Sequence, residues 1–396
     1  MRRFLSSADG WPYLLVPFIP IAVVLDIAGA GSVAIFVTSA LGVIPTAALM
    51  GRATEELAAR SGPGIGGLLN VTFGNAPELI IALFALNKGL HEVVKASLVG
   101  SILGNILLVL GAAMFFGGWG RDRQLFDRTA ATAQSSMLLL AITAMVMPAI
   151  FELVEGRGLP SPSSELINYD TTVEHLSYAV AVILILSYIG GLVFSLKTHR
   201  DLFNPDHGPD PSKPGVAAGL PLDTHPDPAT TVDPFDEGEP WSVRKAVGAL
   251  ALAGVAVGVM SEILVGSISE AAHSIGLSEF FVGAIVVAIV GNAAEHWVAV
   301  LVARKDQMDL AVNIAIGSSA QIALFVAPVL VLASLVLGPH PLALVFNGFE
   351  LGGLILAVVI ANHVTNEGES TWFEGVQLLA VYVVLGVSFY YAGVGT

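Results

Sequence analysis

Two stretches of the chain place a glutamate inside a long apolar run, and the same three residues begin both. GNAPELIIAL starts at residue 74 and GNAAEHWVAV at residue 291, so the acids are Glu78 and Glu295. A lone carboxylate at the centre of a bilayer costs about 2.5–3.5 kcal/mol on insertion scales, so an acid there is typical of a functional site. Asn75 and Asn292 lie three residues earlier, on the same helical face. Amide and carboxylate oxygens are hard ligands, which suit a cation such as Ca²⁺.

Neutral polar residues in the next apolar runs could complete such a site. GSILGN places Ser101 and Asn105 four residues apart, and GSSAQ places Ser318 and Gln321 three residues apart, so each pair shares one face of its helix. A serine in a glycine-rich span is also typical of a helix-packing face, and that alternative stays open for both serines.

Two residues beside the glutamates add further expectations. His296 points about 100° around the helix from Glu295, so packing and proton handling are both open for it. Pro77 occurs only in the first motif, and because it removes a backbone donor we expect a kink in that helix. The chain has no cysteine and no His/Cys cluster, so we expect no zinc or other soft-metal site.

Composition identifies the element that must carry these residues. Of the 396 residues, 55% are hydrophobic and 12% are charged, whereas a soluble domain has about 25% charged residues. The net charge of −15 comes without a basic patch, which argues against a nucleic-acid partner. We therefore predict an all-α, polytopic protein whose partner is the lipid bilayer.

About 20 apolar residues span the hydrocarbon core as a helix. On this criterion we predict eleven spans, near residues 12–28, 30–51, 64–86, 93–116, 129–152, 173–196, 243–264, 279–302, 309–337, 342–363 and 372–394. The early Arg pair and the small-residue AGA before residue 31 also fit a signal peptide. We prefer an uncleaved first span, because the charge partition below requires it.

Basic residues orient the spans. With the N-terminus in the cytoplasm and the C-terminus outside, 14 of the 17 Lys and Arg residues fall on the inner side, as the positive-inside rule requires. Dropping one early span would scramble this partition. We expect a multi-pass protein of a prokaryotic cytoplasmic membrane.

One polar segment divides the chain. Residues 201–240 contain nine Pro and nine Asp or Glu, a composition that cannot bury a core, so we predict a flexible cytoplasmic linker. The predicted organisation is then an extra N-terminal helix (1–29), a first five-helix repeat (30–200), the linker (201–242) and a second five-helix repeat (243–396).

The two halves are related in sequence. Aligned without gaps at an offset of 217, residues 66–101 and 283–318 are identical at nine of 36 positions, including both GNAxE motifs. An odd number of spans separates equivalent helices, so the two copies must run in opposite directions through the membrane. Inverted repeats with polar groups at the midplane are typical of secondary transporters.

At this point the motifs resemble those of a known family. GGLLNVTFGNAPELIIALFALNKG, GSILGNILLVLG, GNAAEHWVAVLVARKDQMDLAV and GSSAQIALFVAPVLVL are similar to the repeats of the calcium/proton exchangers, the CAX branch of the Ca²⁺/cation antiporter superfamily. ATEELA before the first motif, MSEILVGSI before the second and TWFEGVQLLAVYVVL near the end are similar as well.

The resemblance implies eleven spans with a dispensable first one, and Ca²⁺ and H⁺ as the transported ions without a cofactor. It implies a calcium site at Glu78 and Glu295. Around them it puts six neutral residues: Asn75, Asn292, Ser101, Asn105, Ser318 and Gln321. Glu55 and Glu262 match acidic positions that the family has on the cytoplasmic approach to the site.

The expected function is antiport. Two carboxylates in a low-dielectric cavity repel each other, so at least one should hold a proton, and a divalent cation would displace it. The same groups would serve as the proton-coupling site, with His296 as a candidate member. The alternatives are a Na⁺/Ca²⁺ exchanger on the same scaffold, suggested by Pro77 before Glu78, and an intramembrane enzyme using Glu295 and His296. The sequence contains no GxGD or HExxH arrangement for such an enzyme.

Overall fold

A computed structural model describes residues 10–61, 66, 68–69, 72–162, 171–194 and 241–394. The predicted linker at 201–240 lies outside the described residues. The described chain forms helices α1 to α11, with these bounds: Trp11–Ile27, Ser32–Arg60, Ala76–Asn87, His91–Gly118, Arg128–Val154, Thr171–Val193, Val243–Ser274, Glu279–Arg304, Met308–Ala333, Gly348–Glu367 and Trp372–Gly393.

Nine of the described helices are long and apolar enough to cross a membrane. The other two, α1 and α3, are shorter apolar helices that fall where the first and third spans are predicted. The multi-pass helical architecture is thus as expected, while the count of eleven spans stays a prediction. A pair of two-residue antiparallel strands, β1 (Gln124–Leu125) and β2 (Glu369–Ser370), joins two connections at one end of the bundle.

The helix contacts keep the same pattern when the first and second halves of the chain are interchanged. Helix α3 packs on α7 and α8 on α2, while α4 packs on α11 and α9 on α6. The long α2 and α7 lie side by side and run antiparallel. The Trp241 backbone N donates to Glu56 at one end (2.9 Å), and Ser274 lines a cavity with Gly31 and the first turns of α2 at the other. Each helix pair therefore has its counterpart when first-half and second-half helices are interchanged.

Two glycines bring the halves close together at the centre. A methyl group added at Gly100 of α4 would lie 1.9 Å from the Ala284 carbonyl oxygen of α8, and one added at Gly283 would lie 3.0 Å from the Val93 carbonyl oxygen. Only a residue without a side chain allows this approach of two backbones. The α4–α8 contact positions the residues of the candidate site that both helices carry.

The two ends of the bundle are named here by the predicted orientation. The inner end contains residues 119–127, 305–307 and 368–371, and the outer end contains residues 88–90, 275–278 and 334–347. The predicted start of the tenth span at residue 342 is wrong, because α10 begins at Gly348. Residues 341–347 form no regular secondary structure, and Leu342 to Phe346 are buried. The segment is apolar because it fills the buried outer end of the bundle. Its composition is therefore like that of a membrane-spanning helix.

Candidate ion-binding site

The two GNAxE motifs cross each other. A methyl group added at Gly291 would lie 3.4 Å from Cγ and 3.5 Å from Oε1 of Glu78, and one added at Gly74 would lie 3.8 Å from Oε1 of Glu295. The glycine of each motif thus faces the glutamate of the other. Residues 74 and 78 meet 295 and 291 in reverse order, so the two segments run antiparallel. The inverted arrangement brings both carboxylates into one place.

Two hydrogen bonds between the halves surround this crossing. The Asn75 Nδ2 donates to Gln321 Oε1 at 2.6 Å, which joins the first motif to α9. The Asn292 Nδ2 donates to Ser101 Oγ at 3.0 Å, which joins the second motif to α4. Each bond joins the asparagine of one motif to the helix that follows the other motif, although Ser101 is equivalent to Ser318 and not to Gln321. Four of the predicted neutral residues are therefore next to the two motifs.

The acids have a distinct set of contacts. Ser318 Oγ donates to Glu295 Oε2 at 2.8 Å. Three buried oxygens, Asn75 Oδ1, Glu78 Oε2 and Asn292 Oδ1, have no hydrogen-bond partner among the described residues. A buried acceptor without a donor costs about 1–3 kcal/mol, so such atoms need a partner from outside the chain. Converging orphaned oxygens are the donor set of a hard cation.

The helices around the crossing are irregular. Asn75 is a turn residue and α3 begins at Ala76 with Pro77 in its first turn, as expected from the proline. Glu78 is then in the first turn of a helix, where the backbone dipole favours negative charge. In α8, which has no proline, Glu295 lies within a continuous helix. π-helical turns occur nearby in α4, α8 and α9, at Gly104–Val109, Val282–Val287, Asn313–Gly317 and Ile322–Val326.

The site is closed toward the outer end. Glu78 and Glu295 are half-buried. The apolar side chains on their outer side are 1–4% exposed: Ile81, Leu98, Val287 and Val326. A cavity beside Glu78 holds about one water-sized sphere and is lined by these residues and by Ser101. Whatever surface the two acids expose therefore lies on the inner side.

One lining residue was not among the expected ligands. Ser97 borders the cavity next to Glu78 and Ser101, and its hydroxyl donates to the Val94 carbonyl oxygen at 2.9 Å. It precedes Ser101 by four residues, so it occupies the same helical face. That spacing was the available signal.

Two predicted residues lie beside the crossing without joining it. Asn105 is buried, and among the described residues its amide nitrogen has no partner and no contact links it to either glutamate. His296 faces α4, where its Cε1 would lie 4.0 Å from a methyl group on Gly104. Its buried Nε2 has no partner in the described part of the chain. Although His296 follows Glu295 in the sequence, its side chain packs against α4.

The structure does not bring Glu55 and Glu262 together, and their place on the cytoplasmic approach stays a prediction. Glu55 lies at the inner end of α2, beside Glu56, which accepts from Trp241 at the start of α7. Glu262 lies about two-thirds along α7, one turn before Gly266, where an added methyl group would be 2.9 Å from the Lys88 ammonium at the outer end. Glu55 and Glu262 are 207 residues apart, so at the offset of 217 they are not equivalent positions of the two repeats.

The sequence pattern of the sodium/calcium exchanger proteins matches residues 31–197 and 245–391. The chain belongs to this family. The membership expected from the two GNAxE motifs is confirmed, and the family is one of membrane transporters.

Similar proteins cover almost the whole exchanger chain. A protein of Synechocystis sp. named Ca(2+)/H(+) antiporter is 42% identical over 96% of each chain. The Bacillus subtilis Ca(2+)/H(+) antiporter ChaA is 41% identical over 95% of this chain and 97% of its own. The solved structure of native YfkE superposes with a TM-score of 0.75 at 37% identity, covering 96% of this chain and 99% of that one.

Proposed function

We propose that this protein is a secondary active antiporter that exports Ca²⁺ in exchange for H⁺. The observation that carries the proposal is the antiparallel crossing, in which each motif glycine faces the glutamate of the other half. Two carboxylates in one small site take up either one divalent cation or protons, and this exclusion is the minimum that antiport needs. The names of the relatives that are 42% and 41% identical support calcium and protons as the two ions.

The ligand set follows from the contacts. Glu78 and Glu295 are the charged ligands. The neutral ligands are Asn75, Asn292, Ser101, Ser318 and Gln321, whose hydrogen bonds link the halves around the acids. When Ca²⁺ is absent, protons on the carboxylates remove the repulsion between them. Asn105 and His296 are not included, because no contact of the described residues ties them to the acids.

Alternating access then needs only a movement of the halves. The two five-helix repeats, 30–200 and 243–396, rock about the fixed site, and α1 stays outside the repeat. The burial of the outer side supports an inward-facing state, in which Ca²⁺ from the cytoplasm reaches Glu78 and Glu295. Inward movement of protons supplies the free energy, and the membrane potential adds about 2.3 kcal/mol per charge per 100 mV.

The decisive experiment is Ca²⁺ uptake into everted vesicles. An imposed pH gradient should drive uptake and an imposed Na⁺ gradient should not. Glu78→Gln and Glu295→Gln should each abolish uptake and Ca²⁺-driven proton release together, because both ions use the same oxygens. Glu279→Gln, in the first turn of α8 and away from the crossing, is the matched control and should exchange normally. Uptake driven by Na⁺ instead of H⁺ would show that the protein is a Na⁺/Ca²⁺ exchanger.

Orientation has its own test. We propose that the protein lies in a bacterial cytoplasmic membrane with the N-terminus and linker inside and the C-terminus outside. The chain has no cysteine, so single thiols introduced at exposed Ser274 and Asp122 report on the outer and inner ends. In intact cells an impermeant reagent should label Ser274→Cys but not Asp122→Cys. The reverse pattern would invert the topology.

A further inference from the structure

A second group of buried polar residues joins the halves at the outer end. The outer cluster consists of Glu92 and Lys95 from α4 with Asn347 and Glu350 at the start of α10. All four side chains are 5% exposed or less, and Lys95 is 1% exposed. Lysine and glutamate are almost never this buried without a reason beyond packing.

The cluster is bonded across the interface between the halves. Lys95 Nζ lies 3.4 Å from Glu92 Oε2 and donates to the Val345 carbonyl oxygen at 3.2 Å. Asn347 Nδ2 donates to Glu92 Oε1 at 3.2 Å, and the Asn347 backbone N donates to Glu350 Oε2 at 2.8 Å. Separating α4 from the 341–350 segment would break these contacts. The cluster therefore holds together the segment that closes the outer end.

Part of this arrangement is repeated at the inner end. Asp309 is the counterpart of Glu92 at the offset of 217 and accepts from the backbone N of Asp127, the residue that caps α5. Glu92 likewise accepts from Asn347, which caps α10. At both ends of the bundle, therefore, an acid of one half accepts a hydrogen bond from the N-cap residue of a helix of the other half. This shared device is called the cap contact.

The remaining two charges have no such counterpart. At the offset of 217, Val312 aligns with Lys95, and Ala130 holds in α5 the third position after the cap that Glu350 holds in α10. Lys95 and Glu350 are therefore additions to the cap contact that occur at the outer end only.

Charge balance in the outer cluster is incomplete. One ammonium faces two carboxylates, so the ionised cluster would carry a net charge of −1 in a buried place. Glu350 Oε1 is buried and has no hydrogen-bond partner among the described residues. An uncompensated buried carboxylate is costly, and taking up a proton removes that cost.

Other titratable groups lie near the outer cluster in the described part of the chain. Glu92 and Lys95 are the charged groups that act on Glu350. His91 lies one turn before Lys95 in α4 and interacts with Lys95 and with His340. On the neighbouring end of α5, Glu152 is paired with Arg157 at 3.4 Å.

We propose that the outer cluster is a second proton-binding site, with the proton on the Glu350 carboxyl, and that this proton keeps the outer end closed. Loss of the proton leaves two carboxylates against one ammonium, and water must enter to solvate the surplus charge. Proton arrival from outside restores the bonds and closes the end behind the protons bound at Glu78 and Glu295. The proton site stands apart from the proposed exchange; only its role in closure rests on that function.

Infrared difference spectroscopy of purified protein in lipid tests the proton directly. In a Glu78→Gln/Glu295→Gln background, the spectrum should retain a protonated-carboxyl band at neutral pH. Adding Glu350→Gln should remove the band, and adding Lys95→Met should increase it about twofold, because both cluster acids then need a proton. Glu374→Gln, which removes a helix-start glutamate bonded only to Thr371 in the described contacts, should leave the band unchanged. A band insensitive to Glu350→Gln would overturn the proposal, whether or not the vesicles exchange Ca²⁺.

Thiol labelling tests closure. Ser97→Cys places the chain's single thiol in the cavity between the outer cluster and Glu78, and Ser274→Cys gives the pH dependence of an exposed thiol at the same end. The ratio of the two labelling rates should rise up to about tenfold per pH unit as the outer solution becomes alkaline, the slope for one proton. With Glu350→Gln, which keeps the hydrogen bond from Asn347 without the charge, the ratio should change less than twofold. A ratio independent of pH in the parent, or equally steep with Glu350→Gln, would refute the role in closure.

Discussion

The number of carboxylates at the crossing limits how steeply calcium binding can depend on pH. Glu78 and Glu295 are the two acids that the motif glycines face. Ca²⁺ can therefore displace at most two protons from this site. When both acids are protonated in the free protein, each pH unit downward should weaken the apparent affinity by up to about 100-fold, or about 2.7 kcal/mol. The sign follows because protons and Ca²⁺ compete for the same oxygens.

Removing one acid halves the largest number of protons that Ca²⁺ can displace, from two to one. In Glu295→Gln a single carboxylate remains, so the change should not exceed about tenfold, or about 1.4 kcal/mol, per pH unit. Affinity should also fall at every pH, because the remaining site carries one negative charge against a divalent ion. Glu279→Gln, at the start of the same helix, should keep the slope of the parent protein.

Calorimetric titration of the purified protein in nanodiscs gives both quantities. Titrations at several pH values yield the slope, and titrations in buffers of different ionisation enthalpy count the protons released per Ca²⁺. Affinity that does not change between pH 6 and 8 would refute the competition. So would a Glu295→Gln protein that still releases more than one proton per Ca²⁺.

Three further outcomes are expected. Ser318→Ala removes the hydroxyl that donates to Glu295. Because a hydrogen bond to a charged group contributes about 1.5–3 kcal/mol, calcium affinity in the same titration should fall about tenfold or more. An unchanged affinity would show that Ser318 is not a ligand. Gly100→Ala puts a methyl group 1.9 Å from the Ala284 carbonyl oxygen and should destabilise the protein in thermal unfolding by more than about 3 kcal/mol. Gly248→Ala, which has open space around it, is the control and should be neutral. Equal melting temperatures of the two variants would contradict the close approach of α4 and α8. Replacing residues 206–238 with a Gly/Ser sequence should leave vesicle exchange measurable, and complete loss in a normally inserted protein would show that the linker takes part in transport.

The meeting of the two glutamate motifs was predictable because its signals are local. Glutamate inside an apolar run, repeated in one sequence context, identifies Glu78 and Glu295 without any knowledge of distances. The helix break at Asn75 follows from Pro77 in the same way. An odd number of spans between the copies gives opposite directions, which is the antiparallel crossing observed between the two motifs.

Other features depend on tertiary packing that no local pattern encodes. Residues 342–346 are as apolar as a membrane helix, yet they form no helix and fill the end of the bundle. Glu262 resembles Glu55 in sequence context, yet it lies about two-thirds along α7 and apart from Glu55. The outer cluster left no local signal either, because Glu92 and Asn347 are 255 residues apart and meet through the fold.

The symmetry of the site and the asymmetry of the ends have different consequences. The hydrogen bonds Asn75–Gln321 and Asn292–Ser101 each join a motif asparagine to the helix after the other motif, so the helices of the site are arranged alike in the two halves. The ends differ: the inner end has ion pairs open to solvent, such as Arg123–Glu369 at 2.8 Å with side chains 61% and 43% exposed. At the outer end the pair Glu92–Lys95, with Glu350 beside it, is buried. Solvated pairs separate at little cost, about 0–1 kcal/mol, whereas a buried charged group that loses its partner costs about 3–5 kcal/mol. The free protein is therefore expected to rest with its outer end closed and its inner end available, the state in which an exporter receives calcium from the cytoplasm.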